Sequence, residues 1–333
     1  PQASPDGRWV VFVRRQTDME ADRGRTDLWL IDANGDRLRQ LTSHEASDTS
    51  PVWSSDSQTL YFLSSRSGSS QVWSISTSGG EARQVTDLPL DVGNLIVSPA
   101  GDRLAVTMEV FPDCDSVEET KQRLDENAKR KGSGLIYDGV FVRHWDTWKD
   151  GRRSHLFVLP STGAGSPVDV MRGMDADSPS KPFGGTEEIT FTPDSKAVVF
   201  TARAGGTAEA WSTNFDLGWG PVAGSSQRGP VPLTDGNPAW DTQPQFSPDG
   251  RLMAWLAMKR PGYESDRFEL RLAKLDSEGR VSEQKSVTDG WDRSIGGYGF
   301  TADSSSILAR AGDVGKVGVS IPSLDDMALL LDG

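Results

Sequence analysis

The densest run of chemically capable side chains in this sequence is Arg143 to Phe157, RHWDTWKDGRRSHLF, which holds two of the chain's three histidines. His144 can switch charge near neutral pH, or anchor the segment by a hydrogen bond between Trp145 and Trp148. Both indoles are expected to bury against neighbouring structure. Arg143, Arg152 and Arg153 can pair with Asp146 and Asp150 in a local network, although surface pairs contribute little singly. Such a stretch either does chemistry or forms the wall of a site whose chemistry sits elsewhere.

A hydrolase nucleophile on a strained strand-to-helix turn needs Gly-x-Ser-x-Gly, and the sequence has none; Gly68-Ser69-Ser70 and Gly224-Ser225-Ser226 carry the wrong flanks. His-Glu-x-x-His is absent, and three histidines with the single Cys114 are too few for a catalytic zinc site or a disulfide framework. No hydrolase nucleophile of that type and no metal site is therefore expected in this chain, and no cofactor is implied. Two adjacent acidic pairs remain, Glu118-Glu119 and Glu187-Glu188. They could serve glycoside hydrolysis, or hold a peptide amino terminus by charge-assisted hydrogen bonds. The alternative is a solvated acidic face in a chain of net charge -13.

The elements that must position these groups come from a repeat. Ser4-Pro5-Asp6-Gly7 returns as Ser54-Ser55-Asp56-Ser57, Ser98-Pro99-Ala100-Gly101, Thr192-Pro193-Asp194-Ser195, Ser247-Pro248-Asp249-Gly250 and Thr301-Ala302-Asp303-Ser304. The period is roughly 50 residues, with one interval about twice as long, and strand-like content at that period marks propeller blades. Each unit reads as a strand into the anchor, a tight turn, a second strand such as Trp9–Val13, a third such as Asp27–Ile31, and a short fourth such as Arg39–Thr42. Asn34-Gly35 is a hairpin signal; the misplaced glycine and missing glutamate argue against a calcium loop there. The expected fold is all-β, a β-propeller of four-stranded blades. Six units are visible, most of a propeller that is truncated at both ends, with residues 1–333 forming one domain.

The long interval contains an insertion in the third blade, residues 109–154. Its first half, from Ser116 to Lys129, is rich in helix formers behind a serine cap and an acidic first turn. Its second half is the Arg143–Phe157 stretch. Because strand direction alternates, the insertion shares one face with the other second-to-third loops and with the inter-blade loops. Conspicuous loop residues on that face are functional candidates: Arg143, His144, Trp145, Asp146, Glu188, Trp211, Asn214 and Tyr263.

Composition narrows the partners. The acidic balance argues against nucleic acid, which needs a basic footprint. No run approaches 18 apolar residues, so no membrane span is expected. Eleven tryptophans and twelve phenylalanines supply burial despite a hydrophobic fraction of 35%.

Several stretches together carry a resemblance: FPDCDSVEET from Phe111, IYDGVFVRHWDTWKDGRRSHLFV from Ile136, KPFGGTEEITFTPDS from Lys181, TAEAWSTN from Thr207, NPAWDTQPQFSPDG from Asn237 and LAMKRPGYESDRFEL from Leu256. In order and over nearly the whole chain, they resemble the propellers of the prolyl oligopeptidase family of serine peptidases, of the dipeptidyl-peptidase 5 and acylaminoacyl-peptidase type. The anchors alone are shared with the Tol-system periplasmic propeller. The resemblance implies a seven-bladed propeller packed on an α/β-hydrolase domain that follows it, holds the family's catalytic serine, aspartate and histidine, and is not present in this chain, so that no catalytic residue is expected here. It also implies substrates limited to short peptides, propeller residues that hold the substrate amino terminus (Glu187-Glu188 or Glu118-Glu119 being the candidates), and a periplasmic or secreted location, with a cytoplasmic one as the alternative. The chain alone is then inactive. A free-standing protein-binding propeller of the Tol-system type is the rival reading.

Overall fold

The computed structural model describes residues 1–144, 147–222, 229–276 and 278–312. The chain is a β-propeller. Among the described residues there are five four-stranded antiparallel blades, and a sixth sheet of two strands, Ile295–Phe300 and Ile307–Ala311. Blade I comprises Gln2–Ala3, Trp9–Asp18, Arg23–Asp32 and Arg39–Gln40. Its middle strands run further than expected, because the polar Arg14–Asp18 segment pairs with Arg23–Asp27 as an exposed ribbon beyond the apolar part.

The anchors work through short polar bonds. Ser4 Oγ donates to Asp6 Oδ1 at 2.6 Å, and that same oxygen accepts from the Arg8 amide at 3.1 Å. Ser54 with Asp56, Thr192 with Asp194, Ser247 with Asp249 and Thr301 with Asp303 repeat the bond. In the third unit, where Ala100 takes the aspartate position, Ser98 turns to Asp102 at 3.0 Å.

The fourth anchor position takes positive φ throughout and alternates between glycine and serine around the ring. Ser57, Ser195 and Ser304 each accept, through Oγ, the amide of the preceding blade's anchor, from Asp6, Ala100 and Asp249 at 3.0–3.1 Å. At Gly101 and Gly250 a Cβ would meet Ser55 Oγ at 2.5 Å and Pro193 at 3.0 Å, so a side chain there would have to displace its neighbour. A second repeated device closes the outer edge. Thr42, Thr86, Thr234 and Thr288 each accept, at Oγ1, the amide of Leu28, Val72, Leu217 or Leu270 on the third strand.

The core is a series of apolar layers between neighbouring blades. Blades II, III, IV and V span residues 48–84, 93–169, 189–232 and 241–286. Leu104, Val106 and Met108 face blade II while Ala105 faces blade IV; Val198 and Phe200 face blade III while Val199 faces blade V. Both faces of a middle strand are thus covered. That is why Ala197–Ala202 is buried at every position instead of alternating.

In blade III the second strand ends at Val110 and the third begins at Arg153. The inserted segment opens with helix α1, Val117–Ala128, where Ser116 Oγ accepts the Glu119 amide at 3.2 Å and Glu119 returns to the Asp115 amide at 2.7 Å. This arrangement resembles a capping box. Val117 packs into the layer between blades II and III. Among the described residues no helix is long and apolar enough to cross a membrane.

The anchor geometry makes a test of the ring contacts. Ser195→Ala keeps the left-handed strain and orphans the Ala100 amide, so it is expected to cost about 1–2 kcal/mol. Ser195→Gly loses the same bond but relieves the strain and is expected to cost less. Urea unfolding of both variants checks the order.

Candidate functional site

The insertion returns to blade III as a small hairpin, Arg143–His144 paired with Thr147–Trp148, closed by the Lys149 amide on the Val142 carbonyl at 3.1 Å. Gly151, at φ 93°, then turns the chain into the third strand, and Asp150 accepts from both the amide and Nε of Arg152. This hairpin forms one wall of a cleft of about 590 Å³. The opposite walls are the inter-blade loop carrying Asp177, Lys181 and Phe183, and the blade IV loop carrying Arg203, Glu209 and Phe215.

Arg153 sits at the base, buried, and clamps three acids. Its Nε donates to Asp175 at 2.7 Å, Nη1 to Asp177 at 2.9 Å, and Nη1 and Nη2 to Glu209 at 3.2 and 2.7 Å. Although burial opposes the charge, these acids hold the Arg153 pKa well above its ordinary value. Lys181 bridges Asp177 at 3.1 Å and Glu109 at 2.9 Å. Burial presses the Asp177 pKa upward; the Lys181 charge, the Ser154 amide and Arg153 outweigh it and hold the carboxyl below its usual range. The local pairing read from sequence therefore holds for Arg152 with Asp150 and not for Arg153, whose partners lie 22 to 56 residues away. Arg153 opens a strand buried at all but its last residue, and a buried cation must be matched by carboxylates.

Of the expected site residues, Arg143 stands over the Trp148 ring at 5.9 Å. Trp148 was expected to bury and is 61% exposed, because its two-residue strand pairs only with its own hairpin partner. His144 pairs with Thr147 through the backbone, and Trp145 and Asp146 lie outside the described residues. Trp211 ends a 3-10 helical turn, Gly206–Trp211, with its indole in solvent. Tyr263 is exposed beneath Arg260, 4.2 Å from the guanidinium carbon. The Gly262 amide on Thr213 Oγ1 at 2.8 Å joins the loops that carry Trp211, Asn214 and Tyr263. Asn214 donates to Asp216 at 3.2 Å.

Glu188 lies inside, 4% exposed. Oε2 accepts the Ser180 amide at 2.6 Å, and Oε1 accepts from Ser180 Oγ and Thr242 Oγ1 at 2.8 and 3.2 Å. It thereby ties the inter-blade loop to the first strand of blade V. Glu187 is exposed, and Glu119 serves the cap of α1. His155, the other histidine of the opening stretch, is buried between Asp169 and the Met174 carbonyl at 2.9 and 3.0 Å. Phe183, which the sequence reading missed, is 73% exposed on the cleft rim.

Below Phe215, Trp240 stacks at 4.8 Å and Asp241 begins blade V. Asp241 accepts from Trp255 Nε1 at 2.7 Å and from Asn237 Nδ2 at 2.8 Å, yet burial pushes its pKa up to about 7. The site thus offers fixed charges and an aromatic rim. Among the described residues no group of three or more His, Cys, Asp or Glu is arranged to hold a metal ion.

Comparison with known proteins sets this arrangement in context. The PD40 model, TolB beta propeller domain, matches residues 1–129. Dipeptidyl-peptidase 5 of Porphyromonas endodontalis is 30% identical over 275 residues, covering 81% of this chain and 38% of the relative. That of Porphyromonas gingivalis is 27% identical over 321 residues, covering 92% and 43%. The chain thus spans less than half the length of these curated relatives. Among solved structures, an acylaminoacyl peptidase in complex with Z-Gly-Gly-Phe-chloromethyl ketone superposes with a TM-score of 0.61 at 11% identity, over 90% of this chain and 40% of that one. The resemblance read from the sequence stands, and the propeller fold with it.

Two outcomes test the electrostatics. Arg153→Met leaves buried carboxylates unmatched and is expected to cost about 3–5 kcal/mol by denaturant unfolding. Asp241 has a folded pKa above its unfolded one, so the native state binds the extra proton between about pH 4 and 7. Stability is expected to rise as pH falls through that window, at up to about 1.4 kcal/mol per unit, while the paired Asp177 loses stability only at lower pH. In Asp241→Asn the slope flattens, whatever the change in absolute stability.

Proposed function

We propose that this β-propeller, similar over most of its length to dipeptidyl-peptidase 5, orients and gates short peptide substrates for a serine peptidase, and breaks no peptide bond itself. The observation that carries the reading is the charged cleft on the insertion face, rimmed by the exposed Trp148 and Phe183. An α/β-hydrolase domain of the same longer protein would close over that face. Arg143, Trp211 and Tyr263 would extend the rim beyond the cleft, while Glu188 supports it from beneath. The contribution to catalysis is positioning, which raises the effective concentration of a correctly placed peptide.

The match of residues 1–129 to the TolB propeller model supports a second reading, docking of a protein partner. Short-peptide affinity separates the two, since a docking propeller has no use for it.

The chain alone is expected to release no chromophore from dipeptidyl p-nitroanilides; turnover blocked by a serine-directed phosphonate would overturn the proposal. In a protein that carries the hydrolase domain, Trp148→Ala is expected to raise KM for dipeptidyl substrates about threefold to tenfold with little change in kcat, as for loss of uniform binding. Steady-state kinetics with dipeptidyl and longer peptides check it.

A further inference from the structure

At one point in the cleft three cations share a single carboxylate. Glu209 is already engaged by both Nη atoms of Arg153. Lys149 Nζ and Arg203 Nη2 nevertheless converge on the same Oε1, at 3.5 and 3.7 Å. Both separations exceed the roughly 2.7–2.9 Å of a charge-assisted bond. Arg203 spends Nη1 on the Ser212 carbonyl at 2.8 Å, and its Nε is buried without a hydrogen-bond partner. The guanidinium is held against Phe215, 4.5 Å from the ring centre, so it cannot swing out to water cheaply. Burial lowers its pKa even with Glu209, Glu264 and Asp177 nearby.

A guanidinium whose Nε has no partner and whose Nη2 meets its carboxylate only at 3.7 Å is better satisfied by a planar anion beside Nη2. A carboxylate matches the guanidinium fork with two oxygens, and the Lys149 ammonium, 5.5 Å from the Phe141 ring, supplies a second cation from the hairpin wall. Arg153, Lys181 and Arg152 are committed to Asp175, Asp177, Glu109 and Asp150 and leave no comparable vacancy.

We propose that Lys149 and Arg203 form a carboxylate subsite, which takes the anionic group of a short peptide between the insertion hairpin and blade IV. This rests on the peptide-handling reading and names the feature of the substrate that is selected. The carboxylate is either the peptide's own terminus or an acidic side chain, and the chemistry is the same for both.

Calorimetric titration of the 333-residue chain with three tripeptides tests it: Ala-Ala-Ala as the free acid, its amide, and Ala-Glu-Ala amide. At least one carboxylate-bearing peptide is expected to bind about tenfold tighter than the plain amide. Preference for the free acid assigns the terminus, and preference for Ala-Glu-Ala amide assigns the side chain. Arg203→Gln and Lys149→Gln should each bring the ratio close to one; Lys149 reaches solvent, so its variant decides the matter if Arg203→Gln fails to fold. Equal affinity for all three peptides, or a ratio untouched by Lys149→Gln, overturns the subsite and leaves the peptide reading standing. Absence of binding by any of them at millimolar concentration overturns both.

Discussion

A guanidinium buried at the mouth of a strand cannot stay there uncompensated, since an unmatched charge in that setting costs several kcal/mol. Arg153 meets this demand by drawing Asp175 and Asp177 from the inter-blade loop and Glu209 from blade IV into one cluster. Three segments far apart in the chain are thereby held at one place. The cleft exists because these segments converge. Its depth, its charge and its aromatic rim all follow from where the clamp sets the hairpin and the two loops.

The scaffold beneath is built for that load. Middle strands covered on both faces leave little freedom for a blade to tilt, and the anchor turns on the opposite face are linked blade to blade through serine Oγ atoms. Regular, rigid blades on one side permit irregular loops on the other, which is the usual division of labour between scaffold and function. The repeat also departs from its pattern in blade III. In blade III the threonine that pins the third strand is replaced by Met171, whose sulfur accepts the Leu156 amide at 3.3 Å. The position before Leu156 is His155, held by Asp169.

Individual residues show how far a linear reading reaches. The anchors, the blade strands and the Ser116 cap are local in origin: neighbouring side chains bond to neighbouring backbone, so the residue order announces them. Glu188 shows the opposite. Its pairing with Glu187 and its glycine-rich approach suggest exposure, yet its three partners come from Ser180 and from Thr242 in the next blade. Trp148 reverses the other way, as a large ring kept in solvent because its hairpin leans on no sheet.

Fold class and the repeated anchor turns were determined by sequence alone, because turn chemistry and strand alternation are short-range. Which acids answer Arg153, whether Glu188 faces substrate or interior, and where Arg203 is left short of an acceptor were decided only by the tertiary structure. Those outcomes depend on Coulomb and desolvation balances among groups tens of residues apart. No local pattern encodes such distances until the ring has brought the loops together.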